Sequence, residues 1–203
     1  MSRDLFADRA ADWDRVGHRV DNVENIATAI RGRVPFEPTM EIMDFGSGTG
    51  LLLERVAPLV RKICAVDTSP SMNAQLADKA GSLGCELEIL EVDLTVTRLE
   101  RRFDGIISSM TLHHVENVGA LFQVFHGLLN DGGFLALADL VTEDGSFHPD
   151  NEGVHHFGFD RDALIGMARD AGFRDPEVAT ASILRKPHGD FPVFLLTATR
   201  HGA

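Results

Sequence analysis

The stretch "IMDFGSGTG", residues 42–50, joins a short apolar run to an acid, Asp44, and then to glycines at 46, 48 and 50. A glycine turn between a strand and a helix lets the backbone come close to a ligand, and the usual ligand there is a nucleotide. Most nucleotides present phosphate, which a carboxylate two residues ahead of the turn would repel. The dinucleotide fingerprint also needs a third glycine or an alanine, for tight helix packing, where this chain has Leu51. A phosphate loop needs a Lys followed by Ser or Thr to close the turn, and the sequence has none there. The stretch therefore asks for a phosphate-free nucleoside with a positive charge near Asp44.

Outward from this turn, apolar runs recur: "MEIMDF", "KICAVD", "CELEILEVD", "FDGIISSM" and "GGFLALADL". Between them lie stretches of helical periodicity at 50–60, 70–82 and 116–129. Alternation of this kind predicts crossover units on a parallel sheet. At the end, "VATASILRK" and "FPVFLLTAT" are separated by Pro187, His188 and Gly189, too few residues for a crossover helix, so they are expected to form an antiparallel hairpin. Ahead of the first strand, Phe6, Ala10, Trp13 and Val16, then Val23, Ile26, Ala27 and Ile30, predict one or two amphipathic helices ending before Pro35. The expected fold is α/β, a doubly wound, mostly parallel, seven-stranded Rossmann-like sheet with an antiparallel C-terminal hairpin. Residues 1–203 form one domain, of which 1–36 are helical and 37–203 are the core.

Composition narrows the partners. A net charge of -12 over 203 residues offers no basic stripe to follow a nucleic-acid backbone, which argues against nucleic acid as substrate. Cys64 and Cys85, the two cysteines, form no CxxC pair and lie in strand-like runs, so they read as reduced packing residues. The N-terminal "MSRDLFADRAADWDRV" is charged where a secretory signal is apolar, and no run approaches the roughly 20 apolar residues of a membrane span. A soluble cytoplasmic protein with no membrane partner, monomeric or homodimeric, is expected.

In an open parallel sheet ligands sit beyond the carboxyl ends of the strands. Asp44, Asp67, Asp93 and Ser109 stand at four such ends. Asp67 follows Gly46 by 21 residues, the separation at which a second-strand acid accepts ribose hydroxyls. S-adenosylmethionine meets every condition, having a nucleoside, an ammonium, a sulfonium and no phosphate.

"IMDFGSGTG", "AVDTSPSM", "EVDL", "FDGIISSMTLHHV" and "LLNDGGFLALADL", in this order and spacing, resemble the successive motifs of the class I S-adenosylmethionine-dependent methyltransferases, over about residues 40–140. The subgroup most resembled contains small-molecule methyltransferases with an "LHHV" stretch after the fourth strand. The resemblance implies that Gly46, Ser47 and Gly48 line the methionine end of the cofactor, with Asp44 beside its amino group. It implies that Asp67 takes the ribose hydroxyls, that Thr68 and Met72 flank the adenine, and that Asp93 and the Leu94 backbone meet its edge. Ser109 would offer its carbonyl to the ammonium, and the N-terminal helices would form a lid. The same residues have plainer readings: Thr68 or Ser69 before Pro70 as a helix cap, Met72 as core, Asp67 and Asp93 as solvated strand-end acids, Phe6 and Trp13 as packing on the sheet.

Methyl transfer from a sulfonium is an in-line displacement, so alignment and exclusion of water do most of the work, and a base is needed only where the acceptor must lose a proton. His113, after the fourth strand, and Asp139, ending the fifth, are the candidate catalytic pair. His114, next along the chain, is expected to point elsewhere. Structural hydrogen bonding is the competing role for the histidines. His148, His155 and His156 with Asp139 form a conceivable ligand set, but no HExxH or cysteine pair supports it and no metal is expected. Residues 142–159 lack periodicity and read as a functional loop over the acceptor. A side chain at Gly46 is expected to block the ligand while sparing the fold. The acceptor is not legible. A cofactor-binding but inactive module, or use of a modified S-adenosylmethionine, are the alternatives.

Overall fold

The computed structural model describes residues 4–202; Met1 to Arg3 of the expected lid, and Ala203, lie outside the described residues. A 3-10 turn, Ala10–Arg15, leads into helix α1, Gly17–Arg31. Strands and helices then alternate: β1 Glu41–Phe45, α2 Leu51–Val56, β2 Lys62–Asp67, α3 Pro70–Lys79, β3 Glu86–Glu91, β4 Phe103–Ser109, α4 Val118–Leu128 and β5 Leu129–Leu140. Helix α5, Arg161–Asp170, precedes the hairpin β6 Arg174–Lys186 and β7 Gly189–Thr199. The seven strands form one sheet in the order β3-β2-β1-β4-β5-β7-β6. β1 to β5 pair in parallel, and β7 runs antiparallel to both β5 and β6, as the short connection predicts. The strand order reverses between β1 and β4, which opens the ligand crevice beyond their carboxyl ends.

Local chemistry sets the helix starts. Ser69 caps α3 by accepting from Met72 N at 3.2 Å, with Pro70 at the first helical position. Asn117 and Asp160 cap α4 and α5 in the same way, each at 2.9 Å. Helix α5 lies outside the expected helices, although Asp160 followed by Leu164, Met167 and Ala168 carries a cap and a helical stripe. Residues 142–159 hold no helix or strand, apart from an isolated bridge of Val141 to Phe159, as their lack of periodicity predicts.

The sheet is covered on both faces, which is why Ile63, Cys64, Ala65 and Val66 are all buried in an unbroken run. One layer joins α1, α2 and Leu76 of α3 to Ile42, Ile63, Ala65 and Ile107. The other joins α4 and α5 to Met43, Phe45, Cys64, Val66, Ile106, Leu135 and Leu137. Strand side chains alternate faces, so Asp44, Asp67 and Ser109 share the face of Ile42, Ala65 and Ile107, whereas Asp139 shares that of Leu137. Three of the predicted ligand residues thus stand on one side of the crevice.

In α1, Ile26, Ala27 and Ile30 are wholly inaccessible, each isoleucine worth about 1.5–3 kcal/mol of burial. The helix also pins to the hairpin through Asn25 and Ser182, 3.2 Å apart. It is a fixed part of the core, and the segment that lies across the strand ends is the shorter stretch 4–15.

Candidate functional site

The glycine turn is wound tightly onto β2. Gly46 N and Ser47 N both donate to Val66 O, at 2.8 and 3.2 Å, and Gly48 N donates to Asp67 Oδ2 at 2.8 Å. A phosphate cradle needs these amides free and aimed outward; here the protein itself uses them. Gly46, Gly48 and Gly50 all have positive φ, 66°, 54° and 88°, a region in which side-chain-bearing residues are strained. Leu51, whose type spoke against a dinucleotide, starts α2 with its side chain in the core.

Asp44 is buried and its Oδ2 meets no donor. Burial, and then the charge of Asp67, push its carboxyl well above the ordinary carboxylate range. Ser47 Oγ, Asn73 Oδ1 and Ser109 Oγ, on the turn, on α3 and at the end of β4, are likewise buried without partners. Asp67 accepts from Gly48 N and from Ser69 N at 2.8 Å, leaving each oxygen a further lone pair. Burial outweighs these bonds and raises its carboxyl. Thr68 and Asp93 are exposed, and Asp93 Oδ1 is engaged by Thr95 N and Oγ1 at 2.8 and 2.6 Å. Met72 and Leu94 are buried, but only Leu94 belongs to a core cluster.

Segment 4–15 ties down onto these same elements. Asp4 accepts from Ser69 Oγ at 2.9 Å and Ser71 N at 3.1 Å, at the start of α3. Asp14 accepts from Thr49 Oγ1 at 2.5 Å and pairs with Lys79. Phe6 stacks edge-on against Trp13 and against His114, with ring centroids 5.7 and 5.8 Å apart.

At the far end of the crevice His113 Nδ1 lies 2.7 Å from Asp139 Oδ1, and His113 N donates to Asp139 Oδ2 at 3.2 Å. Both residues are buried. Burial alone would raise the Asp139 carboxyl, but its interaction with His113 and the hydrogen bonds from His113 and Leu140 N outweigh it and hold it low. His114 does not point elsewhere. A 3-10 turn at Leu112–His114 rotates successive side chains by about 120° instead of the 180° of a strand, and the His114 ring lies beside that of His113, 4.2 Å between centroids. Its Nδ1 lies 2.7 Å from Gly153 O. His148 joins the pair, 4.9 Å from the His113 ring. His155 is exposed, and His156 Nε2 lies 3.0 Å from Val115 O, so neither joins the cluster and the ligand set imagined from sequence does not assemble.

Two residues escaped the sequence reading. Met110 takes φ 57° directly after β4, strain of about 1–3 kcal/mol of the kind stored at functional sites. It turns the chain so that Thr111 folds over the glycine turn, its Oγ1 3.3 Å from Gly46 O. A Cβ at Gly46 would fall 2.1 Å from Thr111 Cγ2, so the expectation that a side chain there would spare the fold is corrected. No sequence signal distinguishes Met110 from an ordinary strand end.

The strand order, the closing hairpin and the glycine turn define a class I methyltransferase fold. Residues 17–178 match the family described as methyltransferase domain, and the chain belongs to that family. An uncharacterised methyltransferase of Schizosaccharomyces pombe is 27% identical over 156 residues, 68% of this chain and 55% of that protein. The ubiquinone biosynthesis O-methyltransferase of Nitrobacter winogradskyi is 31% identical over 113 residues, 53% of this chain and 41% of that protein. The chain spans about half the length of the curated relatives it matches, 55% and 52% of the first two. Among solved structures, a Haloferax volcanii protein described as a methyltransferase, in complex with the Trm112 methyltransferase activator, superposes with a TM-score of 0.81 at 18% identity, covering 100% of both chains. Phosphoethanolamine N-methyltransferase 2 of Haemonchus contortus, in complex with S-adenosyl-L-methionine, gives 0.72 at 15% identity, covering 100% of this chain and 60% of its own. Among the described residues no helix is long and apolar enough to cross a membrane.

Proposed function

We propose that the chain binds S-adenosylmethionine across the carboxyl ends of β1, β2 and β4 and transfers its methyl group to a small-molecule acceptor beside the histidine cluster. Asp44 carries this reading. A buried carboxylate oxygen with no donor is costly unless a cation meets it, and an ammonium group is such a cation. The unpartnered Ser47 and Ser109 hydroxyls at neighbouring strand ends fit the same polar guest. Asp67 retains lone pairs for a ribose, and Met72, buried yet outside both core clusters, suits the adenine. Bound there, the cofactor supplies an electrophilic methyl on a sulfonium whose leaving group is a neutral thioether.

The chain's own work is then alignment and exclusion of water. Segment 4–15, tied to α3 by Asp4 and to Thr49 and Lys79 by Asp14, acts as the lid. Asp139 only accepts, so it fixes the proton of His113 on Nδ1 and leaves Nε2 to orient or deprotonate the acceptor. A net charge of -12 gives no basic track for nucleic acid, and the names of the relatives that specify a reaction concern O- and N-methylation, both compatible with a small acceptor. A monomer or homodimer in the cytoplasm completes the proposal.

Asp67→Ala is expected to weaken S-adenosylmethionine binding by about 1.5–3 kcal/mol, through loss of charge-assisted acceptors and of the tie to Gly48 N. Calorimetric affinity unchanged from wild type would remove Asp67 from the site. Asp44 allows a second test. Its folded pKa is raised, so the stability it contributes is full below the unfolded value and is lost as pH rises through the folded one. Below that folded value the ligand-free fold holds a proton that a cationic ligand expels. Binding is expected to release protons, visible as a calorimetric enthalpy that varies with the ionisation enthalpy of the buffer, and to tighten with pH up to the folded pKa. Asp44→Asn should abolish both effects; their persistence would assign the proton elsewhere.

A further inference from the structure

We propose that His113, His114 and His148 form a binding site for one divalent first-row transition-metal cation, Zn2+ being the best match, with a fourth coordination position left for water or an acceptor atom. One ring nitrogen from each residue lies within 4.8 Å of the other two. Around Zn2+ at about 2.0–2.1 Å, tetrahedral nitrogens stand about 3.3 Å apart, so the rings must close in slightly. His148 sits in loop 142–159, outside any helix or strand, so turning its side chain is the smallest movement that closes the set.

The hydrogen bonds fix which lone pairs are on offer. His113 Nδ1 faces the Asp139 carboxylate and His114 Nδ1 faces the Gly153 carbonyl, both at 2.7 Å. Neither oxygen can donate, so each Nδ1 carries hydrogen, and in the neutral ring Nε2 is the bare nitrogen. A carboxylate or a carbonyl behind the non-ligating nitrogen is the arrangement that orients metal-binding imidazoles. The third ring offers the independent observation: His148 Nδ1 is buried and has no partner. Histidines clustered only for structure would leave that nitrogen uncompensated. Burial, then the neighbouring His113, draws both His114 and His148 down to about 4, so both rings are neutral and ligand-competent at pH 7. The nearby Lys186 charge opposes a cation at His148, and the Asp139 carboxylate offsets it. Phe6 covers the His114 ring and Phe147 packs on His148, 4.7 Å between centroids, giving the apolar surround that limits solvent access.

Metal binding stands on this geometry and does not rest on the methyl-transfer reading. With a cation bound, His113 Nε2 is a ligand and the acceptor meets the cation in place of the ring.

The test uses tag-free protein, stripped with chelator and titrated with Zn2+ against a chromophoric competitor in the absence of S-adenosylmethionine. One equivalent is expected to bind, and Co2+ in its place should give the intense visible bands of a four-coordinate site. His148→Ala and His114→Ala should each weaken binding by about 100-fold or more, with His148→Gln as a second variant should His148→Ala fail to fold, while His155→Ala on the surface should bind as wild type. No saturable binding by folded protein, or affinity unchanged in the folded His114 and His148 variants, overturns the proposal. Cofactor calorimetry is run separately, so either reading can fail alone.

Discussion

His113→Asn is expected to lower turnover by about 10²-fold or more while S-adenosylmethionine binds with unchanged affinity. Asparagine is chosen over alanine because of Asp139. His113 and Asp139 are both buried, and the carboxylate takes two of its hydrogen bonds from His113, one from the ring and one from the backbone. Alanine would leave the buried carboxylate with backbone donors alone, at a cost of about 1–3 kcal/mol for the lost ring bond, and a loss of activity would then mix stability with chemistry. The asparagine amide can donate toward Asp139 from near the position of Nδ1 and carries nothing in place of Nε2. The comparison is of single-turnover rates at saturating cofactor, beside thermal melting of both variants. A folded His113→Asn enzyme with full turnover would take histidine out of the reaction, leaving alignment alone to carry it.

Gly46→Val should abolish detectable cofactor binding and also lower the melting temperature. At φ 66° a β-branched residue is strained, and the added Cβ would lie 2.1, 2.3 and 2.6 Å from three atoms of the Thr111 side chain. Separating the two losses needs the partner removed. In a Thr111→Gly background the collision is gone, so Gly46→Ala should cost less stability than in the wild-type chain, by a coupling of about 1–2 kcal/mol in the double-mutant cycle. Additive melting data would show that Thr111 does not lie over the turn. Cofactor affinity at wild-type strength in Gly46→Val would show that the turn is not the cofactor contact.

Much of the fold was legible because its signals are local. Apolar runs of strand length alternating with helical stripes specify crossover units, and Pro187, His188 and Gly189 leave no room for a crossover, which makes the last pair antiparallel. The Ser69 and Pro70 cap is likewise read within four residues. Helix α5 carries equally local signals, the Asp160 cap and the stripe Leu164, Met167 and Ala168. The placing of α1 was not legible: the same apolar stripe serves a lid or a core helix, and only its contact with α2 and β6 decides.

The sequence by itself determined the alternation of strands and helices that makes the sheet, and also the glycine turn and the acid that follows it by 21 residues, since these last two lie within one strand-turn-helix-strand unit whose spacing is fixed by backbone geometry. Only the tertiary structure decided where side chains at the strand ends meet. Parallel register puts Asp44 opposite Ala65 and so brings Asp67 onto the same face; the αL turn at Met110 folds Thr111 over Gly46; a 3-10 turn swings His114 beside His113; and the loop after β5 returns His148 to them. Apart from the adjacent His113 and His114, these bring together residues 21 to 65 positions apart, and their directions depend on the conformation of loops that carry no periodicity, so no pattern along the chain encodes them separately from the packing that holds them.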